Sequence, residues 1–261
     1  RKNLLPEYKK DRNLQRITNW DAFDNLEDEH DSKVDQIVRI IQYLKMLPVK
    51  TTVIDKVEAD DIIAVLAEKL VAKYNSTCFI VSSDKDFVQL VTDKIILYRP
   101  IEKEYYTPKV VKEKFGVLSK NFILYKVLLG DNSDKIPGVK GLGQKGIFKK
   151  FPELQTEELT LENIFEISTR KFKDHVVYSR IVQEQNRLET NYKIMDLSIP
   201  LISEREREYL DEVIKEDIPE LNFETFISFY NEDKLGGMIR NLETWLKDNF
   251  QHFKGYIDDA E

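Results

Sequence analysis

The chain has 261 residues, enough for one large domain or two small ones. Hydrophobic residues make up 41% and charged residues 33%, with 14 Phe and 12 Tyr, which supplies a sizeable core and excludes a disordered chain. A single cysteine, Cys78, excludes a disulfide framework and a Cys-based zinc cluster, and the three histidines stand apart from one another. No apolar run approaches the roughly 18 residues of a membrane span and no signal peptide precedes the chain, so the expectation is a cytoplasmic protein in a reducing compartment. Carboxylate is plentiful, with Asp+Glu 47 against Lys+Arg 40 and a net charge of −7.

The charge is unevenly spread. Residues 1–17 carry six bases and two acids, and residues 131–150 carry five lysines and two acids. Residues 18–36 hold seven acids and one Lys, and residues 203–224 nine acids and three bases. Local basic segments let an acidic protein bind nucleic acid, although a solvated mixed-charge surface is the simpler reading of charge alone.

Along the chain, Val34, Ile37, Val38, Ile41 and Leu44 recur at helical spacing, predicting a helix over 34–47 capped by Asp31 or Ser32 and stopped by Pro48. Residues 49–54 are β-branched and read as a short strand. A strong helix over 58–74 follows, with Ile62, Ile63, Leu66 and Leu70 on one face. Residues 78–81 (CFIV) form a continuous apolar run, as a buried parallel strand would. A helical turn over 84–91 and a strand over 95–98 complete a β-α-β-α-β alternation, which argues for an α/β sheet. After Pro100 the pattern turns helical. Thr107 with Pro108 starts a helix and Gly116 stops it, and Ser119 caps the next, to about Leu129. Further helices are expected near 144–151, 160–167, 174–190, 223–230 and 235–250. A soft domain boundary falls near residue 100, dividing the chain into 1–100 and 101–261.

Three acidic clusters lie at element boundaries. Glu58, Asp60 and Asp61 enter a helix, Asp84 and Asp86 follow a strand, and Asp131 and Asp134 follow a helix. Singly, each has a local explanation in helix-dipole or Asx-turn chemistry. Ligands in an open parallel sheet bind beyond the carboxyl ends of strands, where the first two clusters would converge. Gathered together, such acids repel unless some protonate or hard divalent cations such as Mg²⁺ join them. The stretch GDNSDKIPGVKGLGQKG supplies a second constellation. Gly138, Gly141 and Gly143 permit tight turns, the helix opening near Gln144 would face an anion, and Lys140 and Lys145 flank the loop. That suits a phosphate backbone and reads no base.

In this order and spacing, VEADD, SSDKDF and GDNSDKIPGVKGLGQK resemble the 5′→3′ exonuclease and flap endonuclease superfamily, in particular phage enzymes of the T-even-phage ribonuclease H type and the 5′-nuclease domain of bacterial DNA polymerase I. The opening LLPEYKKDRN is similar to the segment at the base of the family's helical arch. The resemblance covers essentially the whole chain. It implies an α/β fold with a parallel-sheet 5′-nuclease core of PIN-like, resolvase-like type and a helical part with a helix-three-turn-helix at about 119–150. It implies Glu58, Asp60 and Asp61 around a first metal, and Asp84, Asp86, Asp131 and Asp134 around a second. Mg²⁺ is the implied ion, Mn²⁺ its substitute, and K⁺ an ion of the 138–143 loop. Lys9 and Arg12 match a basic pair reaching the scissile phosphate, and Tyr8 sits where a ring can stack on a base. Lys126 matches a position facing the substrate, with a structural ion pair as its rival role. The implied activity is two-metal hydrolysis at 5′ ends of duplex DNA, 5′ flaps, nicked or gapped duplex and RNA–DNA primers during replication, by a monomer whose further partners would be a single-strand-binding protein or polymerase.

Two departures stand out. The family's opening strand and two aspartates before the arch have no match, so the chain reads as a fragment lacking roughly the first 70 residues of the pattern, with an incomplete first metal site. Residues 13–33, where the arch falls, are acidic past Arg16. An alternative is therefore a DNA-junction binding module without catalysis. A PIN-type ribonuclease ranks below both, because it lacks the Gly loop.

Overall fold

The computed structural model describes residues 1, 4–9, 19–250 and 253. Helix α1 (Leu26–Leu44) begins well before residue 34, at the N-cap Asn25, whose side chain accepts from the Asp28 amide. Glu27, Asp28 and Glu29 occupy its first turn, where negative charge is stabilised by the helix dipole. Part of the acidic run thus has a local cause. The stripe Val34, Ile37, Val38 and Ile41 is exposed rather than core-facing. Residues 49–54 form no strand; a β-branched run without a ladder partner stays irregular, and Lys50 Nζ instead donates to Val213 O at 2.9 Å.

Helix α2 (Ala59–Tyr74) buries Ile62, Ala64, Val65 and Ala67. Strands β1 (Cys78–Val81) and β2 (Ile95–Arg99) pair in parallel, with Cys78 opposite Ile95. Strand β3 (Glu104–Tyr106), unforeseen, adds antiparallel to β2 in the order β1-β2-β3. Ile80 and Leu97 are buried, while Phe79 and Val81 are exposed, so β1 is buried on one face, not both. Cys78 is half-buried rather than fully enclosed. Between the first two strands lies a 3₁₀ turn, Lys85–Leu90.

Helix α3 (Pro108–Phe115) is capped by the Thr107 side chain, has Pro at its start, and ends at Gly116 with φ +67°. A 3₁₀ turn at Ser119–Asn121 leads into α4 (Phe122–Leu129). The short ladder β4 (Gly130–Asp131) with β5 (Ile136–Pro137) closes the loop after α4. Helices α5 (Gln144–Lys150), α6 (Leu161–Arg170), α7 (Val176–Gln183) and α8 (Gln185–Met195) follow, so the helix expected over 174–190 is two. Helix α9 (Glu204–Lys215) arises in the acid-rich segment, α10 (Phe223–Glu232) as expected, and α11 (Leu242–Phe250) only after a 3₁₀ turn.

The chain divides into two compact units, Arg1–Asn13 with Lys56–Arg207, and Leu14–Asp55 with Glu208–Glu261, and not at residue 100. The first unit holds the main core, from Ile80 and Leu97 through Phe122, Leu128, Ile147 and Ile164 to Leu188. Its aromatic rings run on: Phe115 meets Phe122 edge-on at 5.0 Å and Tyr125 stacks on Phe148 at 6.1 Å. The second unit has its own core of Met46, Leu47, Phe226, Tyr230 and Leu246. There Arg39 pairs with Asp233 at 2.6 Å and lies over the Phe229 ring.

Candidate nuclease site

The acidic corners of the first unit converge. Asp84 caps the turn after β1, its Oδ1 accepting from the Asp86 amide at 2.8 Å. Gln89 then ties that turn to the end of α8, donating to Asp86 O (2.9 Å) and Met195 O (3.1 Å) and accepting from the Leu197 amide. Beyond α4, Asp131 Oδ1 accepts from Ser133 Oγ at 2.6 Å and from the Ser133 amide at 2.9 Å. Asp60, Asp86, Asp131 and Asp134 line one narrow crevice of about 10 Å³ together with Arg1 and Tyr8. A wider cleft of about 580 Å³ begins at Asp84, Asp86, Lys126 and Asp131 and runs past Phe115, Tyr125 and Ser133.

The electrostatics record this crowding. Burial, then the charges of Asp84, Glu58 and Asp86, outweigh Lys9 and push the Asp60 carboxyl above its usual range. Burial also raises Asp86, aided by Asp84 and Asp131 and opposed by Lys126. Asp131 goes the other way: burial would raise it, but hydrogen bonds from Ser133 and Lys126 bring it down to about 2. Lys126 donates to both Asp86 and Asp131, the latter at 2.9 Å, and these acids hold its ammonium charged against burial.

Glu58 and Asp61 have protein cations of their own. The Arg1 guanidinium clasps Asp61 at 2.6 and 2.8 Å and reaches Glu58 at 3.1 Å. Asp61 is buried and also accepts from the Leu201 amide. It therefore faces the interior as an anchor rather than the crevice. Glu58 accepts from Lys9 at 2.8 Å and from Tyr8 Oη at 3.2 Å, and Lys9 and Arg1 outweigh burial to hold its carboxyl below the usual range. Tyr8 is only 4% exposed, with its phenol pushed up to about 12 by burial, so its ring sits in the core and offers no open face to a base. Arg12 lies outside the described residues, as do residues 10–18 and His252. His30 and His175 are exposed, and His175 caps α7.

Among the described residues, no three of these acids enclose a point that could hold a metal ion. The donor chemistry nonetheless separates them. Asp60 and Asp86 carry the raised, mutually repelling carboxyls that a hard divalent cation relieves, with Asp84, Asp131 and Asp134 as further oxygen donors. That set fits a divalent ion. Glu58 and Asp61, saturated by Arg1 and Lys9, do not.

At the Gly loop, the amides of Val139 and Leu142 are taken by Leu128 O (2.9 Å) and Val139 O (3.0 Å). Those of Lys140, Gly141 and Gly143 make no hydrogen bond among the described residues, and Lys140 and Lys145 are exposed. Gly138 serves packing: a Cβ there would collide with the Leu129 carbonyl, and one at Gly130 with the Gly138 amide. Helix α5 is only seven residues long, so the loop and not the helix end presents the amides. Arg180, Arg187 and Asn191, which no spacing in the sequence singles out, grip this loop from α7 and α8.

A small sheet with acids gathered beyond its parallel strands defines an α/β nuclease-like core of resolvase-like type. Residues 1–116 match the family of the 5′-3′ exonuclease N-terminal resolvase-like domain. A 5′-3′ exonuclease of Buchnera aphidicola (subsp. Schizaphis graminum) is 34% identical over 64% of this chain and 58% of its own length. DNA polymerase I of Bacillus subtilis is 42% identical over 46% of this chain and 14% of its own. Among solved structures, bacteriophage T5 5′-exonuclease with zinc bound superposes with a TM-score of 0.66 at 22% identity, covering 84% of this chain and 79% of that one. The fold is that of the T5 enzyme, and the match over residues 1–116 together with the relatives supports the 5′→3′ exonuclease and flap endonuclease superfamily. The chain spans a little over half the length of the first of these relatives.

Proposed function

We propose that the chain is the nuclease part of a structure-specific 5′→3′ exonuclease or flap endonuclease. It hydrolyses phosphodiester bonds at 5′ ends of duplex DNA, at 5′ flaps and at RNA–DNA primers, in DNA replication. The observation that carries this reading is the convergence of Asp60, Asp86, Asp131 and Asp134 on one crevice. The names of the relatives, 5′-3′ exonuclease and DNA polymerase I, support it, and so does the T5 flap endonuclease of the same fold, which was crystallised with DNA and metal ions.

Asp60, Asp84, Asp86, Asp131 and Asp134 would hold two divalent ions, Mg²⁺ or Mn²⁺. Bound there, such ions supply an activated water and offset charge on the reacting phosphate. Lys9, paired with Glu58, and Lys126, paired with Asp131, add fixed positive charge near the same phosphate. The Lys140, Gly141 and Gly143 amides with Lys140 and Lys145 take the duplex backbone without reading sequence. Products are a 5′-phosphate and a 3′-hydroxyl. The rival, junction binding without cleavage, draws on Arg1, which neutralises Glu58 and Asp61.

The test is cleavage of labelled flap and nicked duplex in Mg²⁺, in Mn²⁺ and in chelator, with Asp84→Asn beside the wild type. Asn still accepts the Asp86 amide as a helix-type cap, so the turn survives and only charge is lost. Metal-dependent cutting that vanishes in Asp84→Asn, with duplex affinity kept, is expected. Binding with no cutting in any metal establishes the rival instead.

A further inference from the structure

The turn that presents those amides is held from behind. Arg180 Nη1 donates to Lys140 O at 2.7 Å. Arg187 donates through Nη1 to Pro137 O and through Nη2 to Gly138 O at 3.3 Å. Asn191, 1% exposed, donates to the same Pro137 O at 2.9 Å. Glu184 fixes Arg187 in turn. Arg180 Nη1 also comes within 3.2 Å of the place a Gly141 Cβ would take, so the guanidinium fills the room that glycine leaves.

The superfamily implies a K⁺ ion in this loop, and such an ion binds through several backbone carbonyls. Here the carbonyls of Pro137, Gly138 and Lys140 already accept from two guanidinium groups and an amide. The Arg180 guanidinium, in hydrogen-bond contact with the turn, also repels a further cation, while Glu184 offsets the charge of Arg187. The residues present do not fit the ion. We propose that Arg180 and Arg187 stand in its place, as built-in cations that set the turn for phosphate binding. In a planar trans peptide the C=O and N–H point in opposite directions. Drawing Lys140 O inward to Arg180 therefore turns the Gly141 N–H outward. Both arginines are positioning residues, since they touch the turn and not the substrate. What the turn binds rests on the function proposed above; the clamp itself does not.

Two measurements test this. The first is amide hydrogen exchange over 138–143 in the DNA-free protein, in KCl, NaCl and tetramethylammonium chloride at equal ionic strength. Wild type should exchange identically in all three, and Arg180→Ala about tenfold faster, the loss of one charge-assisted bond. The second is duplex affinity and flap-cleavage kinetics in the same salts. Wild type should bind alike in each; Arg180→Ala and Arg187→Ala should raise KM about tenfold at unchanged kcat, and Arg180→Lys should recover part of the loss. Circular dichroism and melting identify any variant that unfolds, and Arg180→Ala, at the less buried contact, is the decisive one. Slower exchange or several-fold tighter binding of wild type in KCl than in NaCl overturns the proposal, as do alanine variants that leave both measurements unchanged. If wild type binds no duplex in any salt, the role given to the loop fails, and the exchange comparison still decides the clamp.

Discussion

Lys126 donates to Asp131 across 2.9 Å, and its ammonium also holds Asp86, so one cation on α4 ties the turn after β1 to the loop after α4. All three side chains are more than three-quarters shielded from solvent. Removing one partner of such a group leaves charges uncompensated, at a cost of about 3–5 kcal/mol when burial is complete and less here. Lys126→Met should therefore lower the melting temperature of the metal-free protein. Mg²⁺ should then stabilise the variant more than the wild type, because it takes over the neutralisation. Calorimetric melts of both proteins with and without Mg²⁺ decide this. Equal stabilisation would mean that the ion does not reach these acids.

Asp131 gives a pH signature. Its native carboxyl lies at about 2, below the usual value near 3.8, despite burial, because Ser133 and Lys126 hydrogen-bond the charged form. A depressed carboxyl stabilises the fold above its unfolded value and loses that contribution as pH falls through its native one. The contribution, on the order of 2 kcal/mol, should be complete above about pH 5 and gone near pH 2. Asp131→Asn should thus be destabilised against wild type at pH 7, with the gap narrowing steadily through pH 4 to 2. Denaturant titrations across that range read it directly; a gap independent of pH would show that the hydrogen bonds do not depend on the charge.

Much of this could be read in the chain, and the failures share a cause. α2, β1, β2 and α3 declare themselves through local signals: apolar spacing, the CFIV run, and Thr107-Pro108 against Gly116. The acids at the ends of these elements are equally visible. Partnership is not. Nothing in VEADD says that Asp61 turns inward to Arg1 and Leu201 while Asp60 faces the crevice, since adjacent helical positions differ by about 100° and either could be the buried one. The resemblance puts Tyr8 where a ring can stack on a base, yet its hydroxyl finds a partner in Glu58 and its ring is buried. The 49–54 run has strand chemistry without a neighbouring strand, and pairing is a property of two segments. Gly138 looks like a phosphate-loop glycine, but its reason is the Leu129 carbonyl beside it.

Asp60 reverses the Asp131 argument. Burial, and the charges of Asp84, Glu58 and Asp86, raise its carboxyl, so the ionised form costs stability at neutral pH. A raised native carboxyl favours the fold below its unfolded value and loses that benefit as pH rises through the native one. Asp60→Asn should accordingly raise the melting temperature of the metal-free protein at pH 7 while reducing cleavage by more than about a hundredfold, the upper end of what outer-shell changes cost metal sites. A gain in stability paired with a loss of activity identifies a strained functional acid; a loss of both would make Asp60 a structural residue.

Gly138, which precedes the open amides of the loop, and Gly143, which carries the last of them, separate folding from binding. At Gly138 an added Cβ meets the Leu129 carbonyl and the Gly130 amide, backbone atoms that cannot rotate away. Gly138→Ala should destabilise by more than about 4 kcal/mol, in the range reserved for steric failures of the main chain. At Gly143, where φ is −95° and no heavy atom comes within 4 Å of an added Cβ, alanine should leave the melting temperature within error. If the loop's amides do meet phosphate, that same Cβ stands in the path of approach, and Gly143→Ala should weaken duplex binding several-fold at unchanged stability. Anisotropy titrations beside thermal melts for the two variants give both readouts. A Gly143→Ala protein that binds duplex as tightly as wild type would move the phosphate contact away from the end of the loop.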